Sequence, residues 1–267
     1  SSTHVSEMRV RMHGFARYTR LRDALNIVIS RVKRLDSEFV PFDHALGRVL
    51  AEDVVSKTNV PPFDRSAVDG YAVRATDTFG ASETKPKKLR VVGSAKIGVA
   101  TKSCVRKGEA VKLMTGAPMP RGADAVVMVE HTKIERKRIA VLVPLTPSKN
   151  VSARGEDVRA GEVVLGCGQQ LRPQDIGMLS SISHLKARVF RRPQVAIIAT
   201  GSELRRPGTR LKSGQITDIN RYSLSAGVVS CGGVANPLDI IPDKPQALFR
   251  ALQKALKNDV VLISGGS

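Results

Sequence analysis

The chain has 267 residues, with 43 Lys and Arg against 24 Asp and Glu, and its formal charge of +19 favours anionic partners such as nucleic acid, phosphorylated small molecules or oxyanions. Aromatic residues make up only 4% and tryptophan is absent, which disfavours a base-stacking nucleic-acid platform. No apolar run reaches the roughly 20 residues of a membrane helix. The first twenty residues have no apolar signal region, and Cys104, Cys167 and Cys231 lack disulfide or zinc spacing, so the expectation is a cytoplasmic protein with reduced thiols, no membrane and no nucleic acid.

The length suits two or three domains. Leu21, Leu25, Val28, Ile29, Val32 and Leu35 recur at helical spacing and predict an amphipathic helix with Thr19 as N-cap, ended by Pro41. Arg48–Val55 reads as a short strand. From Pro61 to Val151, short β-rich runs (89–92, 110–114, 125–130 and 139–143) alternate with Gly, Pro and charged turns, and Glu135–Arg138 reads as a hairpin tip. A helix then follows Pro173, with Ile176, Leu179 and Ile182 on one face. Val195–Ala199 and Asp259–Ile263 are continuous apolar runs, the pattern of strands covered on both faces. Between them come a helix after Asn220, a weak strand near Val234 and a helix over 242–257, so a mostly parallel sheet is predicted.

Several polar turns carry the chemistry. Pro61–Tyr71 holds Asp64, Ser66, Asp69 and Gly70 in a loop stiffened by two prolines. Its carboxylates read equally as turn-formers and as ligands for a hard cation. Met114–Pro120 is a hairpin connection or, through Thr115, a phosphate-facing turn. Arg154–Val158 is a surface turn or a phosphate fork followed by Asp157. Thr200-Gly201-Ser202-Glu203, Thr217-Asp218-Ile219-Asn220 and Ser264-Gly265-Gly266-Ser267 all fall at strand ends, where an open parallel sheet binds ligands. Three such turns on one edge suit a phosphorylated, hydrogen-bonding ligand. No Walker A or G-x-G-x-x-G sequence is present, and the five histidines show no ligand spacing.

Taken in order, Pro61–Tyr71, Met114–Val127, Arg154–Gly161, Arg191–Leu204, Ile216–Asn220 and Asp259–Gly266 resemble the molybdopterin molybdenumtransferase family, which includes the E domain of gephyrin. The resemblance implies a multidomain α/β-plus-β fold. Its parts are a discontinuous dimerisation or linker domain (15–60 and 151–186), an inserted β domain (61–150) and a three-layer α/β molybdopterin-binding domain (187–267) truncated at its C-terminus. The family's last β domain is absent from the sequence. The implied reaction inserts molybdate, or tungstate, into adenylylated molybdopterin with release of AMP, assisted by magnesium or another divalent cation. Carried over by resemblance, the catalytic positions are Asp69, Thr115, Asp157, Glu203, Asp218 and Asp259, with Glu203 and Asp218 facing the metal. Thr200, Gly201, Ser202, Asn220, Ser264, Gly265 and Gly266 hold the cofactor, and Asp69 and Thr115 reach it from the other subunit of a homodimer. The molybdopterin adenylyltransferase is a further partner that the resemblance admits. Ser202, where the family usually has Asp or Asn, and Ile219, where it has a small hydroxyl residue, depart from the pattern. The alternative to the enzyme is a non-catalytic molybdopterin-binding or scaffolding dimer, or an inactive fragment, motivated by the early end of the sequence.

Overall fold

The apolar stripe at the start of the chain forms α1, Leu21–Arg31, in the computed structural model, which describes residues 19–99 and 102–265. Arg20, not Thr19, is the N-cap, without a side-chain bond, and the chain turns extended at Val32, well before Pro41. The adjacent β-branched Val28 and Ile29 do not stop the helix. It ends where Val32-Lys33-Arg34 brings another β-branched residue and neighbouring like charges. None of its residues is buried, and Leu21, Leu25, Val28 and Ile29 stay exposed. This helix belongs to a unit ending at Asp36, and Ser37–Ser267 form the second unit.

In the second unit, sequence-distant segments share one core. Ser37–Pro41, where the spacing predicts the end of a helix, is instead a strand pairing antiparallel with Lys186–Phe190. The expected strand over 48–55 shrinks to Val54–Val55, paired with Val163–Leu165, plus single bridges at Val49 and Leu50. Helix α2, Pro173–Ser181, has proline at its first turn as the spacing predicted, and its start is tied by Arg172 N donating to Asp175 Oδ2 at 2.8 Å. Leu50, Leu171, Leu179 and Val189 meet in the core this builds. Each fully buried leucine or valine contributes roughly 1.5–3 kcal/mol.

Between those segments lies a six-stranded mixed sheet. Its order is Ala125–Met128, Gly70–Val73, Glu109–Leu113, Lys87–Ser94, Arg138–Val141 and Thr132–Glu135. Only the Lys87–Ser94 and Glu109–Leu113 pair is parallel. Alternation along the strands sends Tyr71, Leu89 and Ile139 to one core and Ala72, Val111 and Val126 to the other. The Glu135–Arg138 tip is a hairpin turn, with Arg136 at φ 53°.

The last part is a parallel sheet in the order Val234–Pro237, Gln194–Ala199, Val260–Ser264. Helix α3, Asn220–Ser230, and helix α4, Pro245–Ala255, complete the alternation. Ala196 and Ile198 pack against Ala251 and Ala255 of α4. Val195–Ala199 are all buried, as a central strand requires. The second apolar run departs from expectation: Val260 and Ile263 are exposed, because the strand has a neighbour on one side only among the described residues.

Candidate active site

The strand Gln194–Ala199 ends in a corner made by three loops. Thr200 N donates to the Ser264 carbonyl at 2.9 Å, and Gly201 N donates to the Ile241 carbonyl at 3.1 Å. Ser202 N donates to Asp243 Oδ2 at 2.9 Å, while Asp243 N donates back to Ser202 Oγ at 3.3 Å. Asn220, the first residue of α3, donates its Nδ2 to Ser264 Oγ at 2.7 Å. The start of a helix, whose first amides lack helical partners, is thus tied to the same corner.

Two glycines are obligatory here. At Gly265 (φ 132°) a Cβ would run into the side chain and carbonyl of Thr200. At Gly201 (φ 155°) it would stand 2.6 Å from Glu203 Oε1. The Glu203 carboxylate therefore lies over bare backbone. It is exposed and makes no hydrogen bond or ion pair among the described residues. Thr200, Gly201, Ser202, Asn220, Ser264 and Gly265 are accordingly brought together; Gly266 lies outside the described residues.

Asp218 sits differently. It is 2% exposed. Its Oδ1 accepts Arg221 N at 3.1 Å, the role of an N-cap, and Oδ2 lies 3.2 Å from Arg221 Nε without hydrogen-bonding geometry. Glu203 and Asp218 flank opposite ends of a short parallel ladder in which Leu204 pairs with Ile216 and Arg205 with Thr217. That offset, three residue steps, amounts to roughly 10 Å along the strand. Of the two carboxylates expected to share a metal, Asp218 is buried against Arg221 and Glu203 is exposed at the other end of this ladder. A further exposed carboxylate, Asp243, accepts the amide of Ser202, the residue before Glu203. The sequence reading missed Asp243; the available signal was an acid in Pro242-Asp243-Lys244-Pro245, just before a helix.

Asp259 is also displaced from expectation. It precedes the strand that ends at Ser264, which puts it at the opposite end of the sheet, roughly 16 Å away at the rise of a strand. Arg191 Nη1 and Nη2 donate to its two oxygens at 2.7 and 2.6 Å, and Gln194 N donates to Oδ2 at 2.8 Å. The Arg191 guanidinium, followed by that amide, holds the carboxyl down at about 2. Asp259 clamps the start of the sheet and has no place at the corner.

A second corner forms in the β sheet. Thr115 N and Oγ1 donate to Asp69 Oδ1 at 2.7 and 2.8 Å. These two bonds, the amide first, lower the Asp69 pKa. Gly70 follows because a Cβ there would collide with the Val127 carbonyl. The same loop ties the Arg154 turn: Arg154 N donates to Asp64 Oδ1 at 2.7 Å, and Asp157 N to the Val60 carbonyl at 2.9 Å. Asp64 shapes the loop, while the exposed Asp157 side chain has no partner among the described residues. Among the described residues, no hydrogen bond joins the Asp69–Thr115 corner to the Thr200–Gly265 corner.

The carboxyl-end loops of this parallel sheet gather glycines, hydroxyls and an open carboxylate at the place where open α/β sheets take their ligands. Residues 19–183 match the MoeA N-terminal region (domain I and II), and residues 196–267 match the probable molybdopterin binding domain. The chain belongs to the MoeA family. It is 37% identical over 260 residues to the molybdopterin molybdenumtransferase of a Nostoc species, covering 96% of this chain and 60% of that protein. It is 39% identical over 228 residues to molybdopterin molybdenumtransferase 2 of Mycobacterium tuberculosis, covering 85% and 56%. The crystal structure of the molybdopterin biosynthesis MoeA protein of Pyrococcus horikoshii matches with a TM-score of 0.86 and 42% identity, over 92% of this chain and 66% of that one. The chain thus spans about 60% of the length of the Nostoc relative. No described helix is long and apolar enough to cross a membrane.

Proposed function

We infer that this chain supplies the pterin- and phosphate-binding part of a molybdopterin molybdenumtransferase, which inserts molybdate, or tungstate, into adenylylated molybdopterin and releases AMP. The observation that carries the reading is the corner of Thr200, Gly201, Ser202, Ser264 and Gly265 with the open carboxylate of Glu203 over it. At Gly201 and Gly265 the missing Cβ lets Glu203 and Thr200 close onto the backbone and draws the corner tight, and Asn220 with Ser264 offers polar edges for a heterocycle.

Magnesium is usually held by one or two carboxylates together with substrate phosphates and water. Glu203 and Asp243, both exposed and both attached to Ser202, one by the chain and one by a hydrogen bond, fit that mode, whereas the buried Asp218 does not. Among the described residues no group of three or more His, Cys, Asp or Glu forms a preformed metal cage. A bound divalent ion would offset the charge of the phosphoanhydride. Glu203 and Asp243 would fix its place, and Asp218 would hold the start of α3 in register through Arg221.

In the same reading Asp69 and Thr115 approach the ligand from the β domain of a second copy, and Asp157, in the adjoining linker domain, is a further site position. The uncovered apolar stripe of α1 supports association into a homodimer, and the partner admitted by the family is the molybdopterin adenylyltransferase. The expected compartment is the cytoplasm.

Titration of the chain with adenylylated molybdopterin and magnesium tests the core of this reading. Glu203→Gln and Asp243→Asn are expected to weaken binding about tenfold each, the scale of one charge-assisted contact, whereas Asp259→Asn binds as the parent does. Unaltered affinity in both of the first two variants rejects the corner as the ligand site.

A further inference from the structure

A second polar cleft, of about 470 Å³, lies on the β sheet and is lined by Arg90, Arg106, Lys137, Ser103, Cys104 and Glu109 among others. Three cations thus face one carboxylate. Both oxygens of that carboxylate are already engaged: Arg90 Nη2 donates to Glu109 Oε1 at 2.6 Å, and Arg106 N donates to Oε2 at 3.1 Å. The side chains of Arg106 and Lys137 form no ion pair among the described residues. The cleft therefore keeps a net positive charge inside a concave surface, where low-dielectric walls focus the field.

The backbone builds this cleft rather than leaving it to chance side-chain positions. A register shift between Val91 and Gly93 interrupts the parallel pair, and a Cβ at Gly93 would stand 2.8 Å from Ser103 Oγ. Glycine thus lets the segment carrying Ser103, Cys104 and Arg106 come against the strand. Val91 N donates to the Lys137 carbonyl at 2.9 Å, fixing the hairpin tip over the opposite wall. Arg90 also stands directly across from Arg138 in the antiparallel ladder, which adds a further positive charge beside the cleft.

We propose that this cleft is a binding site for a phosphorylated small molecule, separate from the corner at Thr200 and Ser264. Arg106 and Lys137 contact its phosphate, and Arg90 is shared between that phosphate and Glu109. Guanidinium donors suit a tetrahedral oxyanion, and the exposed Val92 suits an apolar remainder.

Cys104 makes the proposal measurable, because its exposed thiol lines the cleft while the exposed Cys167 and Cys231 lie elsewhere. With inorganic pyrophosphate as probe and ionic strength held constant with sodium chloride, alkylation of the three thiols by iodoacetamide is followed by peptide mass spectrometry. The expected result is a saturable, several-fold slowing at Cys104 alone, lost in Arg106→Gln and Lys137→Gln and retained in Arg106→Lys. Circular dichroism melting of each variant separates lost binding from lost folding, and a Lys137→Arg variant provides a second conservative control. Equal slowing of all three thiols, no slowing, or undiminished protection in the two glutamine variants overturns the site. Protection by heparin but not by pyrophosphate overturns the small-molecule assignment.

Discussion

Ser202 and Asp243 hold each other from both directions, the amide of Ser202 on the carboxylate of Asp243 and the amide of Asp243 on the hydroxyl of Ser202. This reciprocal pair joins the loop after the central strand to the loop before α4, and Gly201, bonded to the Ile241 carbonyl, lies inside the same tie. Asp243→Ala removes the charge and the acceptor of the Ser202 amide, leaving only the Asp243 amide on the Ser202 hydroxyl; Asp243→Asn keeps both bonds and removes the charge. Ligand affinity is expected to fall in both. The melting temperature should fall only in the alanine variant, by about 2–4 °C if the tie contributes on the order of 1 kcal/mol. Thermal melts of the two variants side by side check this, and equal melting of both would show the tie to be without weight.

The convergence of Thr200, Gly201, Ser202 and Ser264 was legible because each turn follows an apolar run that can only be a strand of a parallel sheet. Which carboxylates join them was not. Asp243 lies 41 residues from Ser202, and no periodicity links two loops that meet only after a helix crossover. Asp218 and Asp259 carried the opposite ambiguity: an acid before a helix or at a strand start serves as a cap or clamp as readily as a ligand. Only the positions of Arg221 and Arg191 decide between the two. Four strands of the β sheet came within a few residues of expectation, since alternation and Gly or Pro turns are local signals, whereas Gly70–Val73, partly read as a loop, and Thr132–Glu135 were not anticipated. The exposure of Val260 and Ile263 depends on what lies beside their strand, which local pattern does not encode.

The clamp at Asp259 predicts a pH-dependent stability. Its folded carboxyl, held by Arg191 and the Gln194 amide, titrates at about 2, against about 3.9 for an unperturbed aspartate. A depressed folded value means stabilisation that is complete above the unfolded value and lost as pH falls through the folded one. The parent should therefore melt about 2–4 °C above Asp259→Asn at pH 6, taking the partly exposed pair as about 1 kcal/mol. The gap should narrow between pH 4 and pH 2. A gap that stays constant across that window would assign the stabilisation to packing of the Asp259 side chain instead of its charge.

Gly70 and Gly47 separate two reasons for glycine. Gly70 faces the Val127 carbonyl so closely that a Cβ must displace the neighbouring strand, whereas at Gly47, with φ 72°, nothing lies within 4 Å of the place a Cβ would take. Gly47→Ala is expected to cost about 1 kcal/mol from backbone strain alone. Gly70→Ala should cost more, roughly 2–3 kcal/mol, because it forces the sheet apart. Urea denaturation of both variants tests the order, and a Gly70→Ala cost at or below that of Gly47→Ala would mean that the two strands separate freely.

The Asp69–Thr115 corner gives the last prediction. Asp69 is held below the ordinary aspartate range by two donors, the Thr115 amide contributing more than the Thr115 hydroxyl. Thr115→Val deletes the hydroxyl and leaves the amide, so the Asp69 carboxyl should move only part of the way back towards the ordinary value. In the parent, the carboxylate is thus ionised throughout the neutral range and to lower pH than a free aspartate. Carbon-detected NMR titration of the Asp69 side chain in parent and variant reads the shift directly. A full return to the ordinary value in Thr115→Val would mean that the hydroxyl, not the amide, sets the charge of this corner. An unchanged titration would mean that the hydroxyl is free to contact the ligand instead of serving Asp69.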